Sequence, residues 1–295
     1  MLGVVNLDKP VGPTSHDMVG LLRRLTGTRR VGHAGTLDPL ASGVLPILVG
    51  AATRFSEELT GGRKRYDAVV RLGARSATDD AEGPITDSGT PPPSEDAIRA
   101  ALTRFVGTYD QRPPDFSARK QGGTTAHRAA RAGTPIEVAP RRVTVEAIDF
   151  VSIEPAAGQL ELRIDVTCGA GTYIRAIARD LGEALGCGGY LRALCRTEAA
   201  GLQATDGIRP EQLEALAAEG RLAEAIQPVG DLLPLPRVTL AADAAWRFLH
   251  GSSQPMSDLP DGRAVIYRGD ELLGIGRVGS GVLQPEKVVG SGVGE

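Results

Sequence analysis

Residues 32–43 read Gly32-His33-Ala34-Gly35-Thr36-Leu37-Asp38-Pro39-Leu40-Ala41-Ser42-Gly43 and run directly into the apolar stretch Val44-Leu45-Pro46-Ile47-Leu48-Val49. Glycines at 32, 35 and 43 permit positive φ or the close approach of another backbone, and Pro39 pushes Asp38 out of the α region. The apolar stretch reads as a buried strand, so a loop specified this tightly sets Asp38 at the mouth of a core, its carboxylate aimed into a cleft. A lone carboxylate in that position is the first candidate for chemistry. An aspartate in an Asp-Pro turn also caps its own backbone, and spacing alone leaves both readings open.

Upstream, Leu2–Leu7 reads as a strand, and a helix begins after Ser15, whose hydroxyl suits an N-cap. Met18, Leu21, Leu22 and Leu25 form its buried stripe; Arg23 and Arg24 lie on the other face, with Arg29 and Arg30 just beyond Gly27. Downstream, Tyr66–Leu72 alternates as a strand, and Ser94–Phe105 reads as a helix with Glu95 and Asp96 in its first turn. Val143–Ile153 and Leu160–Val166 alternate strongly, predicting a half-buried antiparallel pair. Thr172 opens a helix with Ile174, Ile177, Leu181 and Leu185 on one stripe, ending at Gly186. After a linker at Pro234-Leu235-Pro236, a short helix and the apolar runs at 264–267, 272–276 and 282–283 predict a small β domain. Residues 290–295 read as a frayed tail.

Composition bounds the rest. A chain of 295 residues with 41% apolar and 23% charged residues accommodates one large core plus a small accessory domain. No apolar run approaches the length of a membrane span, and residues 1–6 lack the basic start and long apolar stretch of a signal peptide, so a cytoplasmic address is expected. Cys168, Cys187 and Cys195 never form a Cys-x-x-Cys pair and the four histidines are scattered singly, which argues against a zinc site and for cysteines as small core hydrophobes. The net charge of −3 hides an uneven distribution: residues 104–142 hold eight Arg or Lys against three acids, and residues 196–261 hold five against ten. A polyanion responds to the face it meets, so a locally basic face on an acidic chain still suits nucleic acid. Residues 119–142, rich in Arg, Gly and Thr, read as a basic excursion that orders on a partner.

The quoted loop, with Val44-Leu45-Pro46, resembles the catalytic motif of the TruB family of tRNA pseudouridine synthases. Further family-like segments follow in order: Asn6-Leu7-Asp8-Lys9-Pro10 with Gly12-Pro13-Thr14-Ser15, Lys64-Arg65-Tyr66, Thr78-Asp79-Asp80-Ala81-Glu82-Gly83, Gln111-Arg112-Pro113-Pro114 with Ser117, Ala118 and Lys120, Cys168-Gly169-Ala170-Gly171-Thr172-Tyr173-Ile174-Arg175, and Gly186-Cys187-Gly188-Gly189 leading to Leu194 and Arg196-Thr197. Together they cover residues 3–235. The resemblance implies an α+β fold: a mixed, mainly antiparallel central sheet flanked by helices in residues 1–235, a thumb-like insertion at 119–142, and a PUA-like RNA-binding β domain at 236–295.

The resemblance also implies isomerisation of uridine 55 in the TΨC loop of tRNA, without cofactor or metal and by flipping the base out of its stack. It makes Asp38 the nucleophile and Arg175 the cation that pairs with it. It makes Tyr66 the ring that stacks on the target base, places Tyr173 and Leu194 in the uracil pocket, sets Lys9 and Pro10 under its floor, stacks His33 into the space vacated by the flipped nucleotide, and has Asp80 orient substrate or brace the pocket. tRNA is the implied partner, with no obligatory protein partner, no membrane and a monomeric state. Two departures from the family pattern concern RNA contacts: Phe116 stands where tyrosine is usual, and His127 where an aromatic hydroxyl is common. Two alternatives stand beside this reading: a tRNA-folding chaperone or RNA-binding module, and a guide-dependent H/ACA-type enzyme.

Overall fold

Alternating burial along the strands sets the architecture, as a computed structural model describing residues 2–91, 93–116, 120–121, 124–125, 139–256 and 259–290 shows. In chain order come strand β1 (Gly3–Lys9), helix α1 (Ser15–Thr26), β2 (Val31–His33), β3 (Ala41–Val49), the short α2 (Ser56–Thr60), β4 (Lys64–Leu72) and α3 (Glu95–Leu102). They are followed by β5 (Gly107–Gln111), the long hairpin β6 (Arg141–Ala156) and β7 (Gln159–Cys168), α4 (Ile174–Ala184), β8 (Gly189–Ala199), β9 (Leu202–Gln203) and α5 (Pro210–Ala218). The nine strands form one sheet in the order β1-β3-β8-β4-β7-β6-β5, with β2 beside β3 and β9 beside β8. Every pairing is antiparallel except β3 with β8. The expected mixed, mainly antiparallel α+β fold is what forms. The basic insertion expected at 119–142 and the tail expected at 290–295 fall largely outside the described residues.

Period-two geometry explains what faces the core. In β4 the side chains of Lys64, Tyr66, Ala68, Val70 and Leu72 are all buried while the intervening ones are at least partly exposed. Two of those inward positions are polar or charged, and both lie at the end of the strand nearest the Asp38 loop. Cross-strand register then fixes their neighbours: Tyr66 pairs with Arg196 of β8 on one side and Val166 of β7 on the other, and Lys64 pairs with Cys168.

The parallel contact between β3 and β8 is short, Leu194 to Ala41, Cys195 to Ser42 and Arg196 to Gly43. Gly43 has φ +95°, and a Cβ there would sit 2.3 Å from the Arg196 carbonyl oxygen. Only glycine permits that approach, so the loop carrying Asp38 is drawn against the strand carrying Leu194 and Arg196.

Helix α1 corrects one expectation. Its N-cap is Thr14, not Ser15: the Thr14 hydroxyl accepts from Asp17 N at 3.1 Å, and Asp17 Oδ2 accepts from Thr14 N at 2.8 Å, a reciprocal capping box. Ser15 is buried instead, its hydroxyl donating to Leu37 O at 2.9 Å and accepting from Leu37 N at 2.8 Å. Toward the C-terminus, β10 (Arg237–Thr239), α6 (Ala242–Leu249), β11 (Gln254–Pro255), β12 (Gly262–Arg268), β13 (Glu271–Gly279) and β14 (Val282–Val288) build a second sheet in the order β10-β12-β13-β14-β11. It is not a loose appendage. Val265, Tyr267 and Ile275 share one apolar cluster with Val4, Leu48, Phe55 and Leu59 of the first unit, and Glu58 on α2 is clamped by Arg263 at 2.8 Å and Lys287 at 3.0 Å. Among the described residues no helix is long and apolar enough to cross a membrane.

Candidate active site

Asp38 sits on a loop that is pinned from four sides. Ser15 holds Leu37 at both backbone atoms. Gly12 N donates to Pro39 O at 2.9 Å. Lys9, fully buried, donates through Nζ to Ala41 O at 2.7 Å, and Arg196, also buried, donates to Val44 O at 2.7 Å and Gly35 O at 3.0 Å. Main-chain contacts of this number leave the position of the carboxylate little freedom, which is what a reacting group requires.

The carboxylate is partly open, with 39% of its side-chain surface exposed, and its Oδ2 lies 3.0 Å from an Arg175 guanidinium nitrogen. Arg175 is the second residue of α4 and is buried. Its other terminal nitrogen lies 3.4 Å from Asp80 Oδ2, and the same guanidinium donates to Thr78 O at 3.2 Å and Phe116 O at 3.0 Å. Asp80 is itself fixed, accepting from the Thr78 hydroxyl at 2.5 Å and from Glu82 N at 3.1 Å. A planar fork reaching two carboxylates and two carbonyls is a task for arginine that the single ammonium of lysine does not fulfil. Burial, with Asp80 and Asp38 nearby, raises the Glu82 carboxyl above the usual range.

A cavity of about 320 Å³ opens beside this pair, lined by Asp38, Tyr66, Tyr173, Arg175 and Leu194 together with Lys64 and Arg196. The volume falls in the range of small-ligand pockets. Tyr66 is almost completely enclosed, and burial pushes its phenol up, with the Arg196 charge opposing. Tyr173 is positioned through its main chain, its N donating to Gln111 Oε1 at 2.8 Å and its O accepting from Gln111 Nε2 at 3.1 Å.

Five of the nine residues singled out in the sequence therefore meet at one cavity. Asp80 stands behind Arg175 and Lys9 beneath the loop; burial lowers the Lys9 ammonium to about 8 while Asp38 holds it up. Pro10 is exposed and His33 lies on β2 opposite Ile47; neither lines the cavity. His33 is half-buried, and burial followed by Arg196 lowers its pKa. Three buried polar residues, Lys64, Arg196 and Gln111, belong to the quoted family-like segments but receive no role from the sequence. The detectable signal is a charged side chain at an inward position of an otherwise apolar alternation for Lys64 in β4; β8 has no such alternation to mark Arg196. Among the described residues no group of three His, Cys, Asp or Glu comes together as a metal site would require.

The N-terminal domain of the TruB family pseudouridylate synthases matches residues 23–174, and the C-terminal domain of tRNA pseudouridylate synthase B matches residues 175–234. The chain is 44% identical over 295 residues to the tRNA pseudouridine synthase B of Ralstonia nicotianae, covering 97% of this chain and 94% of that protein. It is 44% identical over 299 residues to the protein of the same name from Burkholderia mallei, covering 98% and 97%. Among solved structures it resembles a chain in the archaeal box H/ACA sRNP Nop10-Cbf5 complex, with a TM-score of 0.72 and 26% identity over 97% of this chain and 85% of that one. A Cbf5-Nop10-Gar1 complex gives a TM-score of 0.72 at 28% identity, covering 97% and 84%.

Proposed function

The chain belongs to the TruB family of pseudouridylate synthases, and from that membership we propose that it isomerises uridine 55 in the TΨC loop of tRNA to pseudouridine. It is an isomerase: the reaction detaches uracil from ribose at nitrogen and rejoins it through carbon, with no net redox change. Asp38 is the group that receives the ribose half when the glycosidic bond breaks. The observation that carries this assignment is the partly open Asp38 carboxylate 3.0 Å from buried Arg175 at the edge of a base-sized cavity. Arg175 holds the Asp38 carboxylate aimed at the cavity; Asp80 holds Arg175 from behind.

Tyr66 forms the stacking face for the everted base, a role suited to a ring held rigidly in a strand, and serves the proton that leaves uracil C5. Tyr173 and Leu194 enclose the base, and Lys9 supports the loop below it. His33, on the strand leading into that loop, fills the gap that the flipped nucleotide leaves in the RNA. The basic segment at 119–142 and the second β unit at 236–295, read as a PUA-like domain, grip the RNA. The protein acts alone, as a monomer in the cytoplasm, and needs no cofactor.

An unmodified tRNA transcript labelled with tritium at uracil C5 tests this reading. Tritium release from position 55, by purified protein with no guide RNA or second protein, is the expected result. Binding without release would favour a chaperone, and release that depends on added guide RNA would favour an H/ACA-type enzyme, the class of the archaeal box H/ACA sRNP complex that the chain resembles.

A further inference from the structure

The cavity contains more positive charge than the Asp38–Arg175 pair explains. Lys64 and Arg196 are 6% and 1% exposed, line the same cavity, and converge under Gly35. A Cβ at Gly35 would lie 3.6 Å from Lys64 Cε and 3.4 Å from an Arg196 guanidinium nitrogen. Among the described residues neither forms an ion pair. Lys64 Nζ donates to Thr60 O at 2.7 Å and Gly62 O at 3.0 Å, and Arg196 donates to the carbonyls of Val44, Thr36 and Gly35. An ammonium carries three donors and a guanidinium five, so one remains on Lys64 and two on Arg196, one of them shared with the Tyr66 hydroxyl at the cavity. Two adjacent buried cations without a counter-ion are costly, and burial together with Arg196 lowers the Lys64 ammonium to about 8. An arrangement of this kind is complementary to an anion that the protein does not supply.

We propose that Lys64, backed by Arg196, is a catalytic cation that takes up the negative charge on the uracil ring when its bond to ribose breaks. The inference rests on the function proposed above. The C1′–N1 bond breaks with its electron pair going to the base, leaving a uracil monoanion whose charge is shared over N1, O2 and O4, while the ribose half is taken up at Asp38. The ring turns and C5 bonds to C1′, releasing Asp38. The C5 proton then leaves and N1 gains one, so atoms and charge balance. Preorganised donors in an enclosed site act most strongly where charge develops during the reaction. Arg175 is engaged with Asp38 and Asp80, which leaves Lys64 and Arg196 as the cavity cations free to meet the base.

The alternative is that Lys64 only ties the turn after α2 to β4. Single-turnover cleavage at saturating tRNA separates the two, using transcripts with uridine or 5-fluorouridine at the target and following loss of the N-glycoside by nuclease digestion and mass spectrometry. The ring fluorine withdraws electrons and stabilises the departing anion without help from the protein. Lys64→Met should slow cleavage of the uridine substrate about a hundred-fold, and this loss should shrink markedly with 5-fluorouridine. Should Lys64→Met fail to fold, Lys64→Gln retains donors for Thr60 and Gly62 but lacks the charge, and carries the same comparison. An equal loss on both substrates, or no loss of rate, overturns the inference. Wild-type protein inactive on uridine would instead overturn the function on which it rests.

Discussion

The Asp38 carboxylate and the Arg175 guanidinium meet at 3.0 Å, although Arg175 is buried and Asp38 is partly open. That asymmetry separates their roles: the arginine is locked by Asp80, Thr78 and Phe116, and the carboxylate it holds remains accessible from the cavity. Removing the cation would strand Asp80, which is 3% exposed. Breaking a buried pair in this way costs about 3–5 kcal/mol. Arg175→Met should therefore lower the melting temperature and reduce single-turnover rate at saturating tRNA, and Arg175→Lys should recover stability better than rate. Equal recovery of both would mean that the fork geometry is dispensable.

Ser15 and Thr14 are adjacent hydroxyls with different duties, and their alanine variants should separate accordingly. Ser15→Ala leaves Leu37 N and O unpaired in the core, at about 1–3 kcal/mol per buried group, and loosens the residue next to Asp38. Rate should fall more than tRNA affinity. Thr14→Ala removes a helix cap worth about 1 kcal/mol and should lower thermal stability with little effect on rate. Thermal melts and single-turnover assays on both variants check this, and matching rate losses would contradict it.

The capping box also illustrates what was legible beforehand. The pattern Thr14-x-x-Asp17 was present in the sequence, but the neighbouring Ser15 was equally plausible as a cap until the burial of its hydroxyl against Leu37 was visible. Strand alternation at 66–72, 143–153 and 160–166, the stripe of α4 and the Asp38 loop were readable because each is a local pattern. Arg196 and Lys64 were not assigned, because their meaning depends on cross-strand register, Tyr66 opposite Arg196 and Cys168 opposite Lys64. Irregularities in that register, between Leu191 and Ala193 and between Arg196 and Glu198, have no sequence signature. Pro10 lies next to the floor, its carbonyl accepting from Lys9 Nζ at 2.9 Å, and His33 lies on β2 opposite Ile47; neither role expected of them is one that lines the cavity.

Gly43→Ala should be among the most damaging single methyl additions in the chain. It combines a φ of +95° with a Cβ 2.3 Å from the Arg196 carbonyl oxygen, so the contact between β3 and β8 would have to open. Loss of cooperative melting or of soluble protein is expected. Near wild-type stability would mean that the two strands separate at little cost.

The pH dependence follows from Lys64, whose ammonium is lowered from 10.5 to about 8 by burial and then by Arg196, with Cys168 opposing. Cys168 and Tyr66 beside it are both raised by burial. Between about 8 and 10.5 the unfolded chain binds more protons than the folded one, so Lys64 makes stability rise with pH across that window. Activity should move the other way, falling as pH increases through about 8 and the cation is lost. Lys9 titrates in the same range, so the distinguishing variant is Lys64→Arg, which should shift the alkaline limb of kcat/KM upward. A limb that stays in place assigns the titration to another group.

The most direct test of the central claim compares wild type with Asp38→Asn, a near-isosteric change that removes the charge facing Arg175. The measurement is tritium release from C5-labelled tRNA transcript under single-turnover conditions, with tRNA affinity measured in parallel. Asp38 as the group that receives the ribose predicts label released at position 55 by wild type, none detectable with Asp38→Asn, and binding preserved in both. Release by Asp38→Asn at a rate near that of wild type would contradict the account.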